Sequence, residues 1–91
     1  MATPEEDSGV ATGVTIYSTT WCGHCVRLKR QLVGAGVAFQ EIDIDAEPAA
    51  EALVRAANDG DATVPTVVLA DGRTFTNPPL AQVLEALAVT A

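Results

Sequence analysis

Basic residues are scarce in this chain: five Lys and Arg stand against twelve Asp and Glu, a net charge of −7. That balance excludes nucleic acid and anionic membrane surfaces as expected partners, since both are held by clustered cations. Aromatics are almost as rare, with one Trp, one Tyr and two Phe, so the core has to come from Val, Leu, Ile and Ala. No run of 18 or more apolar residues occurs, and no segment reads as a membrane-spanning helix. Cysteine is limited to two residues and histidine to one, too few for a four-ligand zinc site within one chain. The first nine residues are acidic and lack the basic and apolar regions of a signal peptide. A cytoplasmic monomer is the expectation. In that compartment a Cys-x-x-Cys pair is more often catalytic or metal-binding than a structural staple.

What is present is concentrated. Both cysteines, the one tryptophan and the one histidine fall in Trp21-Cys22-Gly23-His24-Cys25. A length of 91 residues allows one domain. Residues 1–12, with Pro, Ser, Gly, Thr and three acids, read as a flexible tail without chemistry. Residues 13–91 read as the folded domain.

The pattern of that domain alternates strand and helix. Val14–Tyr17 is β-branched and alternating, hence a strand. From Gly23 to Val33 the residues favour helix, with Cys25, Leu28 and Leu32 on one face, and Gly34 and Gly36 end it. The stretch from Val37 to Ile42 is the second strand, and strand–helix–strand in so few residues implies a parallel pair. Pro48 suits the first position of a second helix. Its expected buried stripe is Ala49, Ala52, Leu53, Ala56 and Ala57, with Glu51 and Arg55 as an i, i+4 pair worth about 0.3 kcal/mol. Asn58-Asp59-Gly60 stops this helix. Val67–Leu69 and Arg73–Thr76 flank Asp71-Gly72, which predicts a two-residue hairpin. Asn77-Pro78-Pro79 then opens a third helix, with Leu80, Val83, Leu84 and Leu87 facing inward and Asn77 as its cap. The reading is an α/β domain with four strands and three helices, in the order βαβαββα. Tyr17 and Phe39 are expected in its core.

A strand and short loop leading into Cys-x-x-Cys at a helix start place Cys22 where backbone N–H groups are unpaired and the helix dipole is positive. Both features favour a thiolate, and in such settings the pKa falls to roughly 3.5–7.5. Cys22 is therefore the candidate nucleophile. Cys25, one turn in and on the apolar face, is the candidate resolving thiol, close enough for a redox-active Cys22–Cys25 disulfide. Thr63-Val64-Pro65-Thr66 is the second element. A cis bond before Pro65 is expected, leaving the Val64 N–H and C=O free to pair with an extended substrate beside the cysteines.

These residues carry a resemblance. The layout over residues 14–89 resembles the glutaredoxin branch of the thioredoxin superfamily, which implies a thioredoxin-like fold with a four-stranded mixed sheet. Cys25-Val26-Arg27-Leu28-Lys29 and Thr63-Val64-Pro65 read like glutaredoxin segments. One departure is informative. Glutathione-binding members usually follow the last strand with a Gly-Gly-x-Asp-type turn that holds the γ-glutamyl end of glutathione. Here Thr76-Asn77-Pro78-Pro79 stands in its place, without the acid and with two prolines that cannot donate. With Trp-Cys-Gly-x-Cys and Thr-Val-Pro-Thr, this turn is similar to that of the mycoredoxins, which use mycothiol, an amino-sugar thiol. The resemblance implies thiol–disulfide exchange on proteins carrying mixed disulfides with mycothiol, which is then the co-substrate reductant, with no bound cofactor and no metal. The residues it implies for substrate binding are Trp21, His24, Thr63, Val64, Pro65 and Asn77.

Alternatives stay open at this point. A glutathione-dependent glutaredoxin, or a general protein disulfide reductase or oxidant, would share the motif, because Trp-Cys-Gly-His-Cys also occurs in disulfide isomerases. An iron–sulfur-binding or redox-sensing module is a third reading, since thiolates from two chains can bridge a cluster. His24 is either a cation that stabilises the thiolate or an exposed residue without a role. Trp21 is expected to shield the site rather than fill the core. Arg27, Lys29 and Arg30 read chiefly as a solvated helix face.

Overall fold

The computed structural model describes residues 13–90, so the expected tail at 1–12 and the last residue lie outside the described part. Four strands, β1 (Val14–Ser18), β2 (Gln40–Asp43), β3 (Thr66–Leu69) and β4 (Thr74–Thr76), alternate with three helices, α1 (Gly23–Gly34), α2 (Pro48–Ala57) and α3 (Leu80–Thr90), in the order βαβαββα. The strands form one mixed sheet in the order β2-β1-β3-β4. β1 runs parallel to β2 and antiparallel to β3, and β4 returns antiparallel to β3.

Strand alternation divides the core between the two faces. Val14, Ile16, Val67 and Leu69 point to one side, where they bury Leu28 and Leu32 of α1 and Val83 and Ala86 of α3. Tyr17 and Val68 point to the other, with Ile44, Val54 and Ala50. Helices α1 and α3 thus cover one face and α2 the other, and the cysteine stretch begins beyond the C-terminal end of β1.

Several elements differ from the sequence expectation, each for a local reason. The second strand starts at Gln40, three residues later than Val37. Gly36 has φ +76, and its N–H bonds to Val33 O while that of Val37 bonds to Leu32 O at 2.9 Å. Helix α1 therefore closes in a Schellman motif that uses the Val37 backbone, and the Val37 side chain packs on the core instead of entering the sheet. In α2 the expected stripe is on the wrong side. Ala49, Ala52, Leu53, Ala56 and Ala57 are all exposed, and Ala50 and Val54 face the sheet. The helix has two large apolar residues, Leu53 and Val54, and the rotation that buries Val54 also turns Ala50 and Asn58, four positions either side, toward the sheet, where the Asn58 amide bonds to Thr66 Oγ1. In α3, Ala86 is buried and Leu84 is exposed. The hairpin loop has three residues: Leu69 accepts from Gly72 and donates to Arg73, and Gly72 at φ +94 takes the left-handed position that a three-residue loop of this kind requires.

Candidate active site

Cys22 is the N-cap of α1, in extended conformation, and its sulfur accepts the N–H of Cys25 at 3.1 Å. A side chain at the N-cap can accept one of the orphan N–H groups of the first turn, and here the acceptor is the thiol itself, so the helix presents a donor to any negative charge on that sulfur. The same sulfur lies 3.8 Å from the Val64 carbonyl oxygen. The Val64–Pro65 bond is cis, as expected, and Pro65 is buried. The Pro65 carbonyl accepts the Asn77 N–H at 2.7 Å. One short path thus joins Cys22 to the Thr63–Pro65 loop, and that loop to the Asn77 turn.

The two cysteines differ in environment. Cys22 keeps 6% of its surface and Cys25 none. Burial, then the hydrogen bond with Cys22, pushes the Cys25 thiol up to about 12, against smaller opposing effects from the Thr19 backbone and Lys29. Both are free thiols. The less buried sulfur at a helix N-terminus beside a fully buried one with a raised pKa is an arrangement in which the first can attack a disulfide and the second is held in reserve.

The remaining predicted residues fall on two sides of Cys22. Trp21 stands 72% exposed, and its indole N–H bonds to Asp45 Oδ2 at 3.1 Å. It is a wall of the site, not a core residue. His24 is exposed on the opposite side. There, with Arg27, Leu28, Gln31, Asn77, Pro78, Pro79 and Leu80, it lines a groove of about 300 Å³. Asn77 does not cap α3. The helix starts at Leu80 and its first turn closes on Pro79 O, which accepts from Gln82 and Val83, while Asn77 takes φ +47 and is exposed along the groove. Lys29 is more than a solvated cation: it bonds to Glu41 Oε2 at 2.7 Å, which also accepts from Ser18 Oγ at 2.6 Å, tying α1 to β1 and β2 just below the cysteines. Partial burial raises the Glu41 carboxyl, but those two bonds outweigh it and leave it below the usual carboxylate range.

Two participants escaped sequence reasoning. Asp45 holds the Trp21 ring, yet it sits in an acidic loop where nothing separates it from Asp43 or Glu47. Asn58 stops helix α2, as its sequence context implies, and its amide also reaches β3 and β4. The spacing Asn58 to Thr66 carries no periodic signal. Among the described residues, no group of three or more His, Cys, Asp or Glu comes together in a way that would hold a metal ion, and no helix is long and apolar enough to cross a membrane.

Fold and site together define a thiol–disulfide oxidoreductase of the thioredoxin-like class. The glutaredoxin family model matches residues 14–75, and the chain belongs to the glutaredoxin family. It is 48% identical over 69 residues to a Mycobacterium tuberculosis H37Rv protein named as a glutaredoxin, covering 76% of this chain and 82% of that one. It is 42% identical over 80 residues to Mycoredoxin 1 of Corynebacterium glutamicum, covering 85% and 99%. The crystal structure of a glutaredoxin from Archaeoglobus fulgidus superposes with a TM-score of 0.67 at 26% identity, over 81% of this chain and 84% of that one.

Proposed function

We propose that this protein reduces mixed disulfides between proteins and mycothiol. The observation that carries the choice of thiol is the groove beside His24. Its polar lining is His24, Arg27, Gln31 and Asn77, with no carboxylate, and it is closed by two prolines without N–H groups. The γ-glutamyl end of glutathione carries an ammonium group that would find no anionic partner there. Sugar hydroxyls are matched by the two amides and the imidazole, which both donate and accept. The likeness to Mycoredoxin 1 over nearly its full length points the same way.

In this reading the Cys22 thiolate attacks the mycothiol sulfur of the mixed disulfide. The Cys22–mycothiol bond forms, the old S–S bond breaks, and the protein sulfur leaves as thiolate. The Val64 backbone and the Trp21 face align the protein side, and the groove holds the sugar side. A second mycothiol thiolate then attacks the Cys22-bound mycothiol, forming mycothiol disulfide and releasing Cys22. Cys25 is buried and largely protonated at neutral pH, so its attack on that adduct is the slower branch.

The test is a pair of serine variants assayed on a mycothiolated peptide with excess mycothiol. Cys22→Ser loses all turnover. Cys25→Ser keeps at least half of it and accumulates a covalent Cys22–mycothiol adduct visible by mass. A Cys25→Ser variant without turnover would replace the monothiol route by the dithiol one.

A further inference from the structure

The loop and the turn that flank Cys22 on the substrate side are not neighbours in sequence, and each lies just beyond the end of a strand, next to the Thr66–Thr76 pair. Both lead to the same side chain. Asn58 follows the last turn of α2, and its amide NH2 donates to Val54 O at 2.8 Å and to Thr66 Oγ1 at 3.2 Å. The Thr66 hydroxyl spends its single proton on Thr63 O, 2.8 Å away, so it can only accept from Asn58, which fixes the orientation of the amide. The amide oxygen accepts from the Thr76 hydroxyl. Thr66 and Thr76 are direct partners across β3 and β4, and the amide sits against both. The residue after Thr76 is Asn77, whose N–H holds Pro65 O.

The chain of bonds therefore closes a ring. From Asn58 it runs through Thr66 to Thr63 and the Val64–Pro65 backbone, then through the Asn77 N–H to Thr76, and back to the Asn58 oxygen. Every polar atom of the Asn58 amide and of the Thr66 hydroxyl that the ring needs is used. Part-buried amides satisfied in this way restrict their surroundings to one arrangement. The geometry points to Asn58 as a positioning residue for the exchange reaction. It has no bond to either thiol, and it braces, beside the direct Asn77 N–H to Pro65 O bond, the placement of the Val64 backbone, which faces the Cys22 sulfur, against the Asn77 turn, which lines the groove. The inference rests on the exchange activity of the family and holds whichever small thiol occupies the groove.

The test measures KM and kcat for a peptide mixed disulfide, in whichever of its mycothiol and glutathione forms the native protein turns over faster. It also measures the rate at which iodoacetamide, too small to need the loop or the turn, alkylates Cys22 at neutral pH. Asn58→Ala raises KM about fivefold, the effect of about one net hydrogen bond, with kcat and the alkylation rate within about twofold of native. Thr66→Val keeps the Asn58–Val54 bond and the volume of the side chain while breaking the ring, so it reports the same KM rise even where Asn58→Ala folds poorly. The double variant is no worse than the worse single one, since one broken ring is not broken twice. Leu32→Ala, which destabilises the domain from the opposite face of the sheet, leaves KM unchanged. An unchanged KM in Thr66→Val would overturn the proposal. An alkylation rate that falls as KM rises, or a KM rise in Leu32→Ala of the same size, would overturn it too.

Discussion

The two faces of the sheet are held by different means. Under α1 and α3, eight residues are buried in one apolar cluster, with Val37, Phe39, Phe75, Leu80 and Leu87 packed around it. Under α2 the buried apolar residues among those described are Tyr17, Ile44 and Val54, with Ile42, Ala50, Ala62, Val64 and Val68 packed around them, and the Asn58 amide bonds to the buried Thr66 and to Thr76 beside them. The first face carries stability through area removed from water, which is large but not directional. The second contributes less area but fixes distances, since a hydrogen bond has a length and an angle. The redox pair is rooted in the first face, through Cys25 at the top of the α1 stripe. The surfaces that would meet the substrate, the Thr63–Pro65 loop and the Asn77 turn, are fixed by the second. A small domain is thereby stiff where it holds the sulfur and exact in spacing where it receives the disulfide.

That division predicts graded effects. Leu32→Ala opens a cavity in the larger cluster and lowers unfolding free energy by about 3 kcal/mol, with turnover at low temperature unchanged; chemical denaturation followed beside an exchange assay checks both. Val54→Ala removes less volume and costs about 2 kcal/mol, but it also loosens the end of α2 against which the Asn58 amide bonds, so KM rises as well. If Leu32→Ala impaired substrate binding as much as Val54→Ala, the two faces would not divide the work as described. The smallest effect is electrostatic. The Glu41 carboxyl is held below its ordinary value of 4.5 by Lys29 and Ser18. A depressed carboxylate contributes stability that is present above its unfolded pKa and lost as pH falls through the folded one. Glu41→Gln therefore narrows the stability difference between neutral and acid pH by about 0.5 kcal/mol, the scale of a partly exposed pair; urea titrations at both pH values measure it.

The same comparison explains what could be read from the chain. On the α1 face, Cys25, Leu28 and Leu32 are the expected stripe, and all three are buried, because large side chains at helical spacing leave little choice of rotation. On the α2 face, five small or exposed apolar residues gave a regular pattern that points to solvent, and the one decisive residue, Val54, was not in it. Leu53, the larger neighbour, is exposed, because the helix is turned so that Val54 and Asn58 share the inner face, and the Asn58 partners lie on distant strands. The cysteine stretch, the cis Val64–Pro65 bond and the hairpin were legible because each is a local rule of backbone or spacing. Asn77 failed as a cap because a second proline follows the first: the helix begins beyond both, and the turn residue is left to line the groove. Asn58 and Asp45 act through side-chain partners eight to twenty-four positions away, and such pairings leave no local trace in a single sequence.

The proposed choice of small thiol rests on the groove beside His24, whose lining carries no carboxylate. The most direct measurement offers one peptide disulfide in its mycothiol and its glutathione forms and compares kcat/KM. The account predicts faster turnover of the mycothiol form by tenfold or more, about 1.4 kcal/mol of difference. Equal turnover, or a preference for the glutathione form, would contradict it.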